Sequence, residues 1–275
     1  SESYRKIRNT LRFLLGNTFD EFSMSDIEKF NFNDLEITDS YIVDKISELD
    51  LAFSNYVEKN EFHKIYVEIL QFCTIDLSSF YFDIRKDCLY CDDIASLKRQ
   101  NCIKVLKFSL YFLLKWLHPI LVFTTEEVFQ ILKSNKKNSV DDYDQSIFLT
   151  DFKNIKINQN TFDKKKWEFL KKIKNEVNFI IEDMRKDKVI KSSLETKINI
   201  HSIEKYKSHF SNVDLSDFFI CSEVDLNLDA NKKNNIKLKS FEGIEVNIEK
   251  SSGEKCNHCW KVKERSCGRT YCGIK

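Results

Sequence analysis

The sequence predicts a mainly α fold: an antiparallel helical bundle followed by a small α+β unit and a cysteine-rich terminal knuckle. Three observations carry this. Apolar residues recur at helical spacing through the first 133 residues, and the pattern changes to strand-like alternation after Leu194. Four of the nine cysteines then fall within the last twenty residues.

Residues 1–17 (SESYRKIRNTLRFLLGN) place Tyr4, Ile7, Leu11, Leu14 and Leu15 on one helical face. Arg5, Arg8 and Arg12 form a second stripe beside it, offering guanidinium groups to an anionic partner. The same stripe is equally consistent with arginines that are solvated or paired to acids elsewhere. Gly16-Asn17 is the expected stop. Residues 18–36 are an acidic, aromatic connector with about one turn of helix. Residues 39–60 predict a helix with Ile42, Val43, Ile46, Leu49 and Phe53 inward. Residues 61–87 predict a long one through Ile65, Ile69, Phe72, Ile75 and Leu77. Residues 96–130 carry Ile103, Leu106, Leu110, Leu113 and Leu114, broken at Pro119, the chain's one proline, and restarted by a capping-box-like TTEE at 124–127.

The polar stretch 134–145 reads as a linker, after which Ile147, Phe148, Leu149 and Phe152 predict a short buried segment. Helical spacing returns over 163–187 with Trp167, Leu170, Ile173, Val177, Ile180 and Ile181. Strand-like alternation marks 196–201, 219–228 and 244–248, with Asn234-Asn235 as turn chemistry. The expected divisions are therefore 1–145 for the bundle, 146–250 for the α+β unit and 251–275 for the knuckle.

Composition excludes several functions. Charge is almost balanced, 44 basic against 43 acidic residues, so contact with a nucleic acid must come from local patches. No apolar run is long enough to span a membrane, and the charged start is no signal peptide. Gly16 is the only glycine before Gly243, so no glycine-rich phosphate-cradling loop exists in the chain. Nine cysteines without a secretory leader predict a reducing compartment, read as cytoplasmic, where clustered thiols point to metal before disulfide.

The terminal cysteines are Cys256 and Cys259, spaced C-x2-C, and Cys267 and Cys272, spaced C-x4-C. Four soft ligands suit one tetrahedral Zn²⁺ in a structural site, and the segment is too short to fold on apolar burial alone. This predicts a zinc-binding knuckle, with His258 as an alternative to one cysteine. Basic residues outnumber acidic ones around it, and Trp260 follows the first pair. A second C-x2-C, Cys88 and Cys91, has no partner pair nearby in sequence and reads as two ordinary helix-end cysteines. Cys73, Cys102 and Cys221 read as core.

Several of these segments resemble one family in order. YRKIRNTLRFLLGN is similar to the helix that opens the anticodon-binding domain of isoleucyl-tRNA synthetases. LSSFYFDIRKDCLYCD resembles a segment inside that domain, and LLKWLHPILVFTTEEVF its helix-breaking block. SIFLTDF, RKDKVIKSSLETKI and FFICSEVDL are similar to the junction region, and KCNHCW to the terminal zinc finger of bacterial-type enzymes. Two departures stand out. The family's second cysteine pair is usually C-x2-C and lies further from the first, and Lys191 stands where glycine is usual before Ser192 and Ser193.

The resemblance implies the C-terminal portion of a class I isoleucine–tRNA ligase, an enzyme that joins isoleucine to tRNA(Ile) using ATP. The family's ATP-binding motifs are absent here, so it implies no catalytic residue in this chain. ATP chemistry would belong to a catalytic domain expected ahead of Ser1. The implied partner is tRNA(Ile), bound by a monomer, with Arg5, Arg8, Arg12 and Trp260 as RNA-contacting candidates. The alternative is a free-standing RNA-binding or scaffold protein with the same fold.

Overall fold

The computed structural model describes residues 2–27, 29–30, 32, 34–135, 145–153, 155, 162–227, 235–264, 267–269 and 272. These group into two compact units. One comprises Ser1–Asp83 with Leu97–Phe162, and the other Ile84–Ser96 with Asp163–Lys275.

The first unit is helical: α1 (Glu2–Thr18), α2 (Met24–Ile27), α3 (Ile37–Glu58), α4 (Phe62–Gln71), the start of α5 (Phe82–Cys91), α6 (Leu97–Leu117) and α7 (Val122–Ser134). Helix α1 packs on α6 and buries Ile7, Leu11 and Leu14 of its predicted stripe, with Tyr4 and Leu15 half-buried. Gly16 does not terminate it. The helix runs through Gly16 in ordinary backbone, and its last turn is closed by Asn17 Nδ2 donating to the Phe13 carbonyl and Thr18 Oγ1 to that of Leu14.

Helix α6 is the unit's central element. Val105, Leu106, Phe108, Phe112, Leu113, Leu114, Trp116 and Leu117 on it are all fully buried, and each such side chain contributes roughly 1.5–3 kcal/mol by leaving water. The Trp116 indole N–H donates to Asp50 Oδ1 at 2.9 Å, and Lys115 pairs with the same carboxylate, so this inward-facing charge pair is matched. Pro119 falls in the break between α6 and α7 as its ring requires. The TTEE segment does not cap α7, which starts at Val122; instead Thr125 Oγ1 donates back to the Leu121 carbonyl, and Thr124 and Thr125 are buried.

The helix predicted over 61–87 is not α throughout. Phe72–Tyr81 between α4 and α5 is a π-helix. Thr10 of α1 reaches into it, its hydroxyl 3.4 Å from the Cys73 carbonyl and 3.2 Å from Ser78 Oγ, and Ser79 Oγ donates to the carbonyl of Thr74 five residues back. These contacts come from another helix, so single-sequence periodicity does not register the π segment. Of the segment predicted to be buried after the linker, Ile147 is buried while Phe148 and Leu149 are exposed, because this turn is a 3₁₀ helix that presents one side chain inward. Most of the linker itself, 136–144, lies outside the described residues.

The second unit packs α8 (Lys164–Lys186), capped by Asp163 Oδ1 accepting from the Lys166 N–H, on a mixed sheet. Its strands are β1 (Thr196–Ser202), β2 (Glu223–Asn227), β3 (Ile236–Lys237) and β4 (Ile244–Lys250), in the order β2-β1-β4-β3. Strand β1 pairs in parallel with β2 and antiparallel with β4, with Ile198 facing Val224 and Ile248. The parallel crossover from β1 to β2 carries α9 (Lys207–Phe210) and α10 (Leu215–Phe219). Phe219 and Ile220, predicted to begin a strand, end α10 instead, with Ile220 in the left-handed conformation at φ 55°. Both Phe218 and Phe219 are buried, and two adjacent apolar residues fit a helix end as well as a strand. Asn234, half of the predicted turn, lies outside the described residues. A two-stranded hairpin, β5 (Glu254–Lys255) and β6 (Val262–Lys263), carries the first cysteine pair.

Candidate metal centre and nucleic-acid interface

The hairpin folds the segment KCNHCWK into a knuckle. The Cys256 N–H donates to the Lys261 carbonyl at 2.9 Å and the Trp260 N–H to the Cys256 carbonyl at 3.0 Å. Gly253 is required just before it. Its φ is 111°, and an added Cβ would stand 2.2 Å from the Lys263 carbonyl oxygen. From here the chain returns through Cys267, Gly268 (φ 69°) and Arg269 to Cys272.

The sulfurs of Cys256, Cys259, Cys267 and Cys272 all lie within 4.8 Å of one another. Those of Cys259 and Cys267 are 3.6 Å apart. Four thiolates at a metal–sulfur distance of about 2.3 Å in a tetrahedron have sulfurs about 3.8 Å apart, so this donor set fits a metal ion. Burial raises all four thiols, and specific contacts then divide them. Backbone N–H groups of Cys259 and His258 overcome the burial of Cys256 and bring its thiol down to about 7. The guanidinium of Arg269, whose Nε lies 3.3 Å from Cys267 Sγ, holds that thiol below its ordinary value. Burial and the neighbouring thiolates keep Cys259 and Cys272 high. A cation would displace the remaining protons, as a coordinated thiol is deprotonated outright. His258 is not part of this group of sulfurs, and its Nε2 lies 3.0 Å from the Tyr90 carbonyl oxygen.

Two cations hold the centre in place. Arg269 makes a two-pronged contact with Asp87, at 2.6 and 3.0 Å, and reaches Asp92 at 3.3 Å. Lys261, one residue past Trp260, is buried and pairs with Asp217 at 2.8 Å and Asp87 at 3.1 Å. No local motif announces this network, because Asp217 lies 44 positions from Lys261 along the chain and Asp87 is further still.

Trp260, by contrast, is 60% exposed and sits at φ 63°. A left-handed backbone costs a bulky residue of order 1–3 kcal/mol, a cost glycine would avoid. The Lys255 ammonium lies 5.9 Å from its ring centroid, which leaves the indole as an open platform beside a cation.

The arginine stripe of α1 divides. Arg8 makes a two-pronged contact with Glu127 of α7 at 2.6 and 2.7 Å, and this partner raises its pKa further above the usual arginine value. Arg5 and Arg12 are exposed and have no ion pair among the described residues. Sequence reasoning also passed over Phe123, 89% exposed and one turn before Glu127 on the same face of α7. The signal was available in VFTTEE, an aromatic in the first turn after a helix break. The first unit thus exposes Arg5 and Arg12 on α1 and an aromatic ring, Phe123, on α7.

Residues 39–200 match the family described as the anticodon-binding domain of tRNA ligase. The chain is 40% identical over 272 residues to an isoleucine–tRNA ligase of Pelagibacter ubique (strain HTCC1062), covering 98% of this chain and 28% of that protein. It is 35% identical to the isoleucine–tRNA ligase of Natranaerobius thermophilus (94% and 28%) and 33% identical to that of Lawsonia intracellularis (98% and 28%). It spans little more than a quarter of the length of these curated relatives. The chain belongs to the family of anticodon-binding domains of tRNA ligases.

Proposed function

We propose that the chain is the tRNA-recognising part of an isoleucine–tRNA ligase, reading the anticodon of tRNA(Ile) in the cytoplasm. In this reading the activation of isoleucine with ATP and its transfer to tRNA belong to another part of the enzyme, and no residue here takes part in bond making. The observation that carries the reading is the match of residues 39–200 to the anticodon-binding family. The surface chemistry supports it: single-stranded loops are bound by splaying bases onto aromatics and arginines, and Arg5, Arg12, Phe123 and Trp260 are exposed groups of that kind.

Cys256, Cys259, Cys267 and Cys272 hold one Zn²⁺ in a structural role, since four protein ligands leave no position for a reactive water. The metal's contribution to RNA binding is to fix the knuckle that presents Trp260. Changing Arg5 and Arg12 to glutamine is expected to weaken tRNA binding and to flatten the salt dependence by about one unit of slope for each phosphate no longer neutralised. Arg8→Gln is expected to do less, because Arg8 is already engaged by Glu127. Fluorescence anisotropy across a salt series measures both quantities. Unchanged affinity and slope in the Arg5/Arg12 variant would return these residues to plain solvation.

A further inference from the structure

The last turn of α8 and the chain just past it form an open groove of about 540 Å³, lined by Glu182, Arg185, Lys186, Lys188, Ile190 and Lys191. Four of these six residues are basic and one is acidic. Ile190 is buried and pins the turn, while the four cations are exposed. Arg185 and Lys186 each meet an acid one turn back, Glu182 at 2.6 Å and Asp183 at 2.9 Å. Such exposed pairs hold weakly, so a phosphate can compete for their cations. Lys188 and Lys191 have no ion pair among the described residues.

Two features set this groove apart from a solvated helix end. A helix C-terminus favours cations through its dipole, which accounts for Arg185 and Lys186, but that field fades within the last turn and Lys191 stands beyond it. Lys188 holds the left-handed position, φ 59°, that closes the helix. Its N–H donates to the Arg185 carbonyl and the Val189 N–H to that of Met184. Glycine is the commonest residue in such a position, so a long cationic side chain is kept where the backbone favours none. Phe179, one turn before Glu182 on the same side of α8, is 74% exposed. Cations in a groove beside an exposed ring are the means by which a nucleic-acid strand is held, with phosphates on the charges and a base on the ring.

We propose that this groove is a second RNA contact, which holds backbone phosphates of the tRNA on Lys188, Lys191 and their neighbours while Phe179 stacks on a base. The proposal rests on the reading of the chain as a tRNA-binding part. It goes beyond that reading because phosphate contacts and stacking carry no base identity: the groove adds affinity and leaves discrimination to the anticodon contacts. An anionic membrane surface would meet the same cations. RNA fits better, because Phe179 is flanked by exposed Asn175 and Asn178 and not by the apolar stripe that a helix lying in a membrane interface requires.

The test titrates the full chain against labelled tRNA(Ile), and against the same tRNA with a replaced anticodon, across a salt series. Lys188→Gly/Lys191→Gln is expected to bind both tRNAs roughly fivefold more weakly or worse, by one common factor, and to flatten the slope of log affinity against log salt by about 1.5. Lys188→Gly alone is expected to leave the thermal midpoint unchanged or raised, since glycine suits that backbone, and still to weaken both tRNAs, a result that damage to the fold cannot imitate. Phe179→Ala is expected to weaken both without changing the slope. Unchanged affinity and slope in the double variant overturns the proposal, and so does a loss confined to tRNA(Ile), which would place the groove in anticodon reading itself. Weaker binding of the double variant to phosphatidylserine–phosphatidylcholine vesicles, with tRNA affinity unchanged, also overturns it and gives the groove to a lipid surface. In all three cases wild type still prefers tRNA(Ile) to the replaced anticodon. Wild type that binds neither tRNA overturns the anticodon reading together with the proposal.

Discussion

Replacing Cys256 and Cys259 together by alanine is expected to abolish zinc binding and to unfold the hairpin that carries them. Cys267 and Cys272 then remain, two thiols short of a tetrahedral site. Structural zinc in short segments supplies on the order of 10 kcal/mol or more of apparent binding free energy, far above what this segment's few buried apolar side chains provide. Only Cys259 among the knuckle's described apolar positions is buried. Amide exchange reads the outcome directly. The Cys256 and Val262 N–H groups, now bonded to the Lys261 carbonyl and to Ser222 Oγ, are expected to exchange freely, while the amides of α6 stay protected. Persistent protection at Cys256 in metal-free protein would contradict the claim that metal and fold are one event.

The second large effect lies at Lys261. Its change to alanine would remove the Lys261 ammonium from buried Asp217 and from Asp87, which keeps Arg269. Breaking a buried pair by removing one partner costs about 3–5 kcal/mol, mostly for the charge left behind, and chemical denaturation of the variant is expected to show that loss. Combining it with Asp217→Asn should recover part of it. The pH dependence follows from the same groups. Burial alone would raise the Asp87 carboxyl and lower the Lys261 ammonium, but the ion pairs outweigh it: Arg269 and Lys261 hold Asp87 below the usual carboxylate value, and Asp217 and Asp87 hold Lys261 above the usual lysine value. A depressed acid stabilises fully above its unfolded pKa, near 3.9, and that contribution is lost as pH falls through the lower folded value. A raised lysine stabilises fully below its unfolded pKa, about 10.4, and that contribution is lost as pH rises through the higher folded value. Between those limits the network's contribution is flat. In Lys261→Ala the alkaline loss should vanish and the acid one shrink.

Sequence periodicity revealed those parts of the fold in which one residue's neighbours are its own helix or strand. The buried stripes of α1 and α8 and the alternation of β1 follow directly from residue spacing, and Pro119 marks its break because its ring forbids a helical interior. What stayed hidden needs a partner from far along the chain. The π-helix lies where Thr10 of α1 meets Cys73 and Ser78, Arg8 is neutralised by a glutamate 119 residues away, and Arg269 meets Asp87 only once α5 and the knuckle are folded. The four terminal cysteines are the exception, legible because metal ligation leaves its spacing in the sequence itself.

Anticodon recognition is the property on which everything else turns, and one titration tests it. The zinc-loaded chain is added to fluorescently labelled tRNA(Ile) and to the same tRNA with only its three anticodon bases replaced, at one fixed near-physiological salt concentration. The expected result is saturable binding to tRNA(Ile) and at least a tenfold weaker affinity for the replaced anticodon. Equal affinity for the two, or no binding to tRNA(Ile) at all, would contradict anticodon recognition by this chain.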